Sequence, residues 1–393
     1  MPGEGQPATP PPVPEAAPSA PEPEEPPAED KFKITTGVGV RVAFKFQDTE
    51  DPEKITGDQV LDEIYAEPRF SGKVTDVVGW TANFQASGRT LDGLPGTVDT
   101  TTGVAGGQGG PVKFELRAMD IVAQLDFMDE FHIWAGRMLT PSDRANFSGP
   151  WFIGPWIYPG SYFVAGGPYV GPRGTEELGR DTGLVVWGDV GKGKFKYYLG
   201  AMDLDANFPD AAPTDQTPLY TGRLAYAFIG AEPGFYGSST YYGSQDILAI
   251  GAAVQYQKDF TGSAGNTGVT DDLVEFNADL LAEFTAPGAG TFGVDAAYYH
   301  FDGDSTPMDD HFFVTASYLT PDNIGIGKIQ PLVRYQQATN SDADTKVSII
   351  EGAVAYVMKD YFAKLELTFT HADAEEFGGV KANMLHMGFQ IQQ

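Results

Sequence analysis

The residues able to do chemistry in this sequence are poorly arranged for catalysis. The five histidines, His132, His300, His311, His371 and His386, are scattered and show no ligand spacing. Cysteine is absent, which excludes disulfides, thiolate nucleophiles and thiolate-bound metals. There is no GxSxG, no HExxH and no phosphate-binding loop. Ser142 with a distant histidine is the nearest approach to a nucleophile and base, and no enzyme is expected. Charge gathers instead in residues 136–179, GRMLTPSDRANFSGPWFIGPWIYPGSYFVAGGPYVGPRGTEELG. This stretch carries Arg137, Asp143, Arg144, Arg173, Glu176 and Glu177, and Arg180 follows it. Connections have a median of about 4–6 residues, so this one is unusually long. Its proline, glycine and aromatic content predicts an ordered loop. Two readings stay open. Arginines facing acids across a narrow passage would set a transverse field that sorts by size and charge. Alternatively, Asp143 and Arg144 only pin the loop through a structural ion pair.

The elements that must hold this loop are legible in the rest of the chain. Its 393 residues carry 54 acidic and 25 basic side chains, a formal charge of −29. That balance argues against nucleic acid, whose phosphates need basic partners. It suits an envelope surface bathed in divalent cations. No run approaches the roughly 18–20 apolar residues of a spanning helix. The first residues do not read as a signal peptide, and the expectation is numbering from a mature form. Residues 1–30 are proline, alanine and glutamate, too poor in apolar groups to offset the entropy of ordering. They are read as an extended, disordered acidic tail, facing the periplasm. The tail is either a plain spacer or a tether reaching peptidoglycan or a periplasmic partner.

From residue 31 to the end, apolar and polar residues alternate repeatedly. In Leu273–Phe284, Val274, Phe276, Ala278, Leu280, Ala282 and Phe284 share one face, and Glu275, Asn277, Asp279 and Glu283 share the other. About sixteen such strands are predicted: 32–46, 59–70, 78–89, 113–127, 130–138, 180–188, 194–203, 217–228, 246–257, 272–284, 291–301, 310–319, 328–338, 346–357, 361–371 and 380–391. Short and long connections alternate along the chain, which puts tight turns on one rim and long loops on the other. Residues 230–245 break this rule: parity demands a short turn, yet the stretch is long and holds Phe235, Tyr236, Tyr241 and Tyr242.

Lipid supplies no hydrogen bonds to an open sheet edge, so strands of this kind must close on themselves. The expected fold is all-β, a 16-stranded antiparallel transmembrane β-barrel over residues 31–393. Apolar side chains would face outward, with aromatic residues near strand ends as girdles. The third extracellular loop, residues 136–179, would fold inward. Its charged residues, with Arg180, are the candidate constriction. The predicted lumen wall is mixed in sign: Arg41, Lys45, Arg69, Arg117, Lys196, Arg223, Arg334 and Lys364 against Glu63, Glu67, Glu115, Asp126, Glu275, Asp279, Glu283, Asp295, Glu351 and Glu366. No cofactor is expected. The acidic clusters at 271–272, 302–304, 309–310 and 342–344 offer hard oxygens of the kind Ca2+ takes, without a complete twelve-residue calcium loop.

At Gly136-Arg137 and the following Thr140-Pro141-Ser142, with the strand count and the aromatic third loop, the chain resembles the phosphate-selective porin O/P family. The resemblance runs from residue 31 to the C-terminus and implies a homotrimer of 16-stranded barrels in a Gram-negative outer membrane, in contact with lipopolysaccharide. It also implies passive diffusion of small hydrophilic solutes or ions, with anions and phosphate among them. Only Arg137, Arg144 and Arg173 match the family's basic constriction by position. The mixed wall departs from the family's basic ladder, and the last strand lacks the usual terminal aromatic residue. The rival expectation is a structural outer-membrane protein, too narrow to conduct, whose tail ties the membrane to the cell wall or a partner.

Overall fold

A computed structural model of the chain describes residues 33–49, 63–89, 113–156, 159, 179–203, 217–260, 271–302, 309–341, 344–374 and 380–393. The tail expected over residues 1–30 lies outside them.

Sixteen strands follow the predicted pattern. They are β1 (Lys33–Thr49), β2 (Glu63–Lys73), β3 (Val78–Arg89), β4 (Lys113–Met128), β5 (Phe131–Leu139), β6 (Arg180–Val190), β7 (Phe195–Met202) and β8 (Leu219–Ile229). After these come β9 (Ile247–Phe260), β10 (Asp271–Ala286), β11 (Gly290–Asp302), β12 (Asp310–Leu319), β13 (Lys328–Asn340), β14 (Thr345–Lys359), β15 (Ala363–Ala374) and β16 (Val380–Gln392). A single short helix, α1 (Arg144–Ser148), is described between β5 and β6. Each strand pairs antiparallel with its sequence neighbours, and β1 pairs with β16, so the sheet is a closed barrel. Closure extends to the last residue, where Val38 and Gln393 exchange backbone hydrogen bonds of 2.8 and 3.0 Å.

Polarity is inverted relative to a water-soluble barrel. On β10, Leu273, Glu275, Asn277, Asp279, Leu281 and Glu283 are buried toward the interior. Val274, Phe276 and Phe284 are 39–46% exposed on the outside. The neighbouring strands agree: Ile250, Val254 and Tyr256 of β9, and Phe292, Val294 and Tyr298 of β11, all point outward. Registration then sets charges side by side inside. Asp279 of β10 lies opposite Gly251 of β9, and Arg223 of β8 lies opposite Ala253. A Cβ on Gly251 would sit 2.4 Å from Arg223 and 2.8 Å from Asp279, so glycine there lets the two meet.

The interior is not the uniformly polar wall that alternation predicts. Trp134, Met138, Val185, Trp187, Tyr198, Met202 and Leu219, from β5 to β8, form a buried apolar cluster. A second cluster joins Tyr299, Phe301, Phe313, Ala338, Val347 and Ile349 of β11 to β14. The alternation holds there; what differs is that inward-facing apolar side chains are covered by chain segments inside the barrel.

An apolar outward belt is expected to meet hydrocarbon. Placing arginine at Val254, at the middle of β9, should cost about 2–4 kcal/mol of folding stability in lipid vesicles. Reversible denaturant titration of Val254→Arg against the parent protein measures it; an unchanged midpoint would mean that this face does not contact acyl chains.

Candidate functional site

The site is built from two segments that leave the wall at opposite rims. The first runs from Thr140 to Trp156, after β5. Wall contacts begin at once: the Pro141 carbonyl accepts from Gln255 Nε2 at 3.2 Å, and Thr221 donates to the same oxygen. The Ser142 carbonyl accepts from Arg223 at 2.7 Å. Asp143 is the N-cap of α1, its carboxylate accepting from the Ala145 amide at 3.1 Å, as short polar side chains do at helix starts. Tyr299 of β11 donates to the same carboxylate.

Beyond α1 the segment reaches the far wall. Arg41 of β1 donates to the carbonyls of Pro150 and Trp156 at 2.9 and 3.0 Å and lies 4.0 Å over the Trp156 ring. Lys364 of β15 donates to the carbonyls of Ile153 and Gly154, and Glu366 accepts from the Trp156 amide at 2.6 Å. Trp151 donates from its indole to Glu67 of β2 and sits 4.7 Å from the Arg69 guanidinium. Two glycines make room for these rings. A Cβ on Gly39 would lie 2.3 Å from Trp151, and one on Gly388 would lie 2.5 Å from Trp156.

The second segment is the anomalous stretch between β8 and β9, on the short-turn rim. It too folds inward. Glu283 of β10 accepts from Thr240 Oγ1 and from the Tyr241 and Gly243 amides at 2.7–3.2 Å. Lys196 donates to the carbonyls of Gly234 and Tyr236, and the Tyr198 hydroxyl donates to that of Phe235 at 2.7 Å. Phe235 stacks 4.5 Å from Trp134 and packs edge-on against Phe147 of α1.

The two segments meet inside the barrel. The Ser239 amide donates to the Phe152 carbonyl at 3.1 Å, and the Gly237 amide to that of Phe147 at 3.4 Å. At the centre Arg144 donates two hydrogen bonds to Glu232, at 2.5 and 2.9 Å, and one to the Ser238 carbonyl. Arg144 also lies 3.4 Å from Asp279, which holds Arg223 at 2.5 Å. Burial disfavours charge on Glu232, but the Arg144 guanidinium beside it outweighs burial and holds the carboxyl down at about 2. Flanking cavities measure about 10 Å³, close to the volume that holds one water.

The predicted residues separate into groups. Arg41, Arg69, Arg223, Lys364, Glu366 and Glu283 face inward and contact one or both inward segments or each other. Asp143 and Arg144 lie at the seam, and Arg180 joins Asp120 of β4 at 2.9 Å. Arg334 makes a buried pair with Glu351, and Glu275 accepts from Asn277. Arg117 is exposed, opposite Gln85. Arg137 is a correction: it shares the outward face of β5 with Ala135 and sits opposite the exposed Ile121, because the inward positions of that strand are Trp134, Gly136 and Met138. Lys45 lies opposite His386 in the β1–β16 register. Arg173, Glu176 and Glu177 fall outside the described residues. Glu232 was missed, although the length of its segment was the signal that could have found it. The notches at Gly39 and Gly388 were missed because a glycine's neighbour in space is invisible in sequence. Among the described residues no three histidine or carboxylate groups gather as metal ligands. Asp309 and Asp310 of the acidic loops instead engage Ser341, Tyr298 and His300.

Comparison with known proteins leaves sequence behind and keeps shape. No family model matches the chain, and no curated protein matches it. Solved structures do. Salmonella typhi OmpF, in a complex with daunomycin, matches with a TM-score of 0.57 at 10% identity, over 93% of this chain and 98% of that one. An anion-selective porin from Comamonas acidovorans matches with a TM-score of 0.54 at 14% identity, over 92% and 100%. The trimer form of OmpT, an outer membrane protein of Vibrio cholerae, gives 0.51 at 15%, over 93% and 100%. At such identities the likeness is one of fold.

Arg144→Met should leave Glu232 buried without its guanidinium partner while Asp279 keeps Arg223, a loss of about 3–5 kcal/mol. Thermal unfolding and new chymotryptic cleavage between residues 147 and 156 read this out; a variant as stable and resistant as the parent would discount the seam. The pH dependence follows from Glu232. Its folded pKa is depressed, so its contribution is complete above about 4.5 and fades as pH falls toward about 2. The segment should stay protease-resistant at pH 4.5 and loosen near pH 2.

Proposed function

We propose that this chain is an outer-membrane porin, a passive diffusion channel for small hydrophilic solutes or ions, and not an enzyme. The observation that carries the reading is a barrel apolar outside and charged inside, with a segment from each rim held in the lumen by wall side chains. Barrels of polar lumen and fixed internal loops select by bore and by charge. The likeness in fold to porin structures supports the same assignment. The trimer form of the Vibrio cholerae protein supports a homotrimer here. The outward belt would contact outer-membrane lipid and lipopolysaccharide, and residues 1–30 would extend into the periplasm toward peptidoglycan or a partner. Ca2+ at the acidic loops is kept only as a secondary proposal, since Asp309 and Asp310 are already engaged by Ser341, Tyr298 and His300.

Anion or phosphate selectivity draws less support. The basic side chains Arg41, Arg144, Arg223, Arg334 and Lys364 are bound to carbonyls and carboxylates, which lowers the positive field available to a passing anion. The rival reading, a barrel too closed to conduct that serves as a tether, is favoured by one observation, the direct contact between the inward segments at Arg144 and Glu232.

Liposome swelling and planar-bilayer conductance separate the two. The porin reading expects swelling in small sugars and discrete conductance steps, larger in Glu232→Gln, where the seam is weakened. A protein that passes neither sugars nor ions, before and after that substitution, would be the tether.

A further inference from the structure

One charged group of the lumen is not used by the network just described. Asp295 of β11 is 6% exposed, and its Oδ1 has no hydrogen-bonding partner. It lines a cavity of about 10 Å³ bounded by Gly154–Pro155 of the first inward segment, Ser239–Thr240 of the second, and the wall of β11 to β13. Thr315 and Gln330 line the same cavity, are 5% and 2% exposed, and present Oγ1 and Oε1 without partners. Thr315 stands directly opposite Asp295 in the β11–β12 register. Three unpartnered oxygens on one wall of one slot are costly to bury unless something satisfies them.

The surroundings decide the sign of that something. Arg334 is committed to Glu351 through Nε and through Nη2 at 2.8 Å, and Arg144 is committed to Glu232 and Asp279. Neither guanidinium is paired with Asp295, so its carboxylate, when ionised, has no cation among the described residues in contact with it. A carboxylate, a hydroxyl and an amide oxygen are hard ligands, suited to a hard cation. Ca2+ sites usually gather several carboxylates, whereas one carboxylate beside two neutral oxygens balances a single positive charge.

We propose that Asp295, Thr315 and Gln330 form a monovalent-cation site in the slot between the inward segments and the wall, and that this site makes the channel prefer cations. The second clause rests on the channel reading; the first does not.

Thallium(I) is the probe. Crystals of the full chain soaked in Tl+ should show an anomalous peak within about 3 Å of the Asp295 carboxylate. Asp295→Asn, nearly isosteric, should lose the peak, and Thr315→Val should weaken it. In a KCl gradient across a planar bilayer, the parent's reversal potential should have the sign of cation preference, and Asp295→Asn should move it toward zero. A parent without the peak overturns the site, as does a peak unmoved by Asp295→Asn. Conductance whose selectivity ignores Asp295→Asn overturns the role in permeation. A peak in a protein that never conducts would keep the site and sink the channel, so the two failures are told apart.

Discussion

The pairing of β1 with β16 is the constraint on which the rest depends. A sheet in hydrocarbon has no water for an open edge, and each unsatisfied backbone group there costs several kcal/mol. Eleven registered positions between Gly39 and Thr49 on one strand and Ala382 and Gln392 on the other remove that edge. Once the ring is closed, every strand must choose which face looks inward, and alternation makes the choice for whole strands at once. One register slip would turn Glu275, Asn277 and Asp279 toward the outside.

Closure creates a lumen, and filling it is the second problem. A ring of sixteen strands is wide enough for an aqueous channel. Here two segments enter from opposite rims, and the wall's charges serve as their anchors. Arg41, Arg223 and Lys364 satisfy loop carbonyls; Glu283 and Glu366 satisfy loop amides. Buried charges of this kind are tolerated because each is hydrogen-bonded, and Arg223 and Lys364 are also paired, with Asp279 and Glu366. The Arg144 seam joins both segments to the wall through Asp279.

The apolar clusters inside the barrel follow from the same filling. Trp134, Trp187 and Tyr198 face inward by register and find Phe147 and Phe235 there. Aromatic faces and edges meet at 4.5–5.4 Å, the spacing at which such pairs attract. Lumen wall without a covering segment would have to be polar; wall with one need not be.

Period-two alternation was enough to determine the strand set, the inside-out polarity and most inward charges, because a side chain's face on a strand depends only on its parity and its neighbours'. The oversized stretch 230–245 also stood out in the sequence as a misfit to the turn rule. What tertiary structure alone decided was partnership. Whether Arg144 faces Glu232, 88 residues away, or Trp151 drops into the notch at Gly39, depends on how two segments cross a cavity. Arg137 shows the limit from the other side: its charge and its place beside the loop suggested the lumen, and the parity of β5 turned it outward. Contacts across a barrel join residues far apart in the chain, and no local periodicity encodes them.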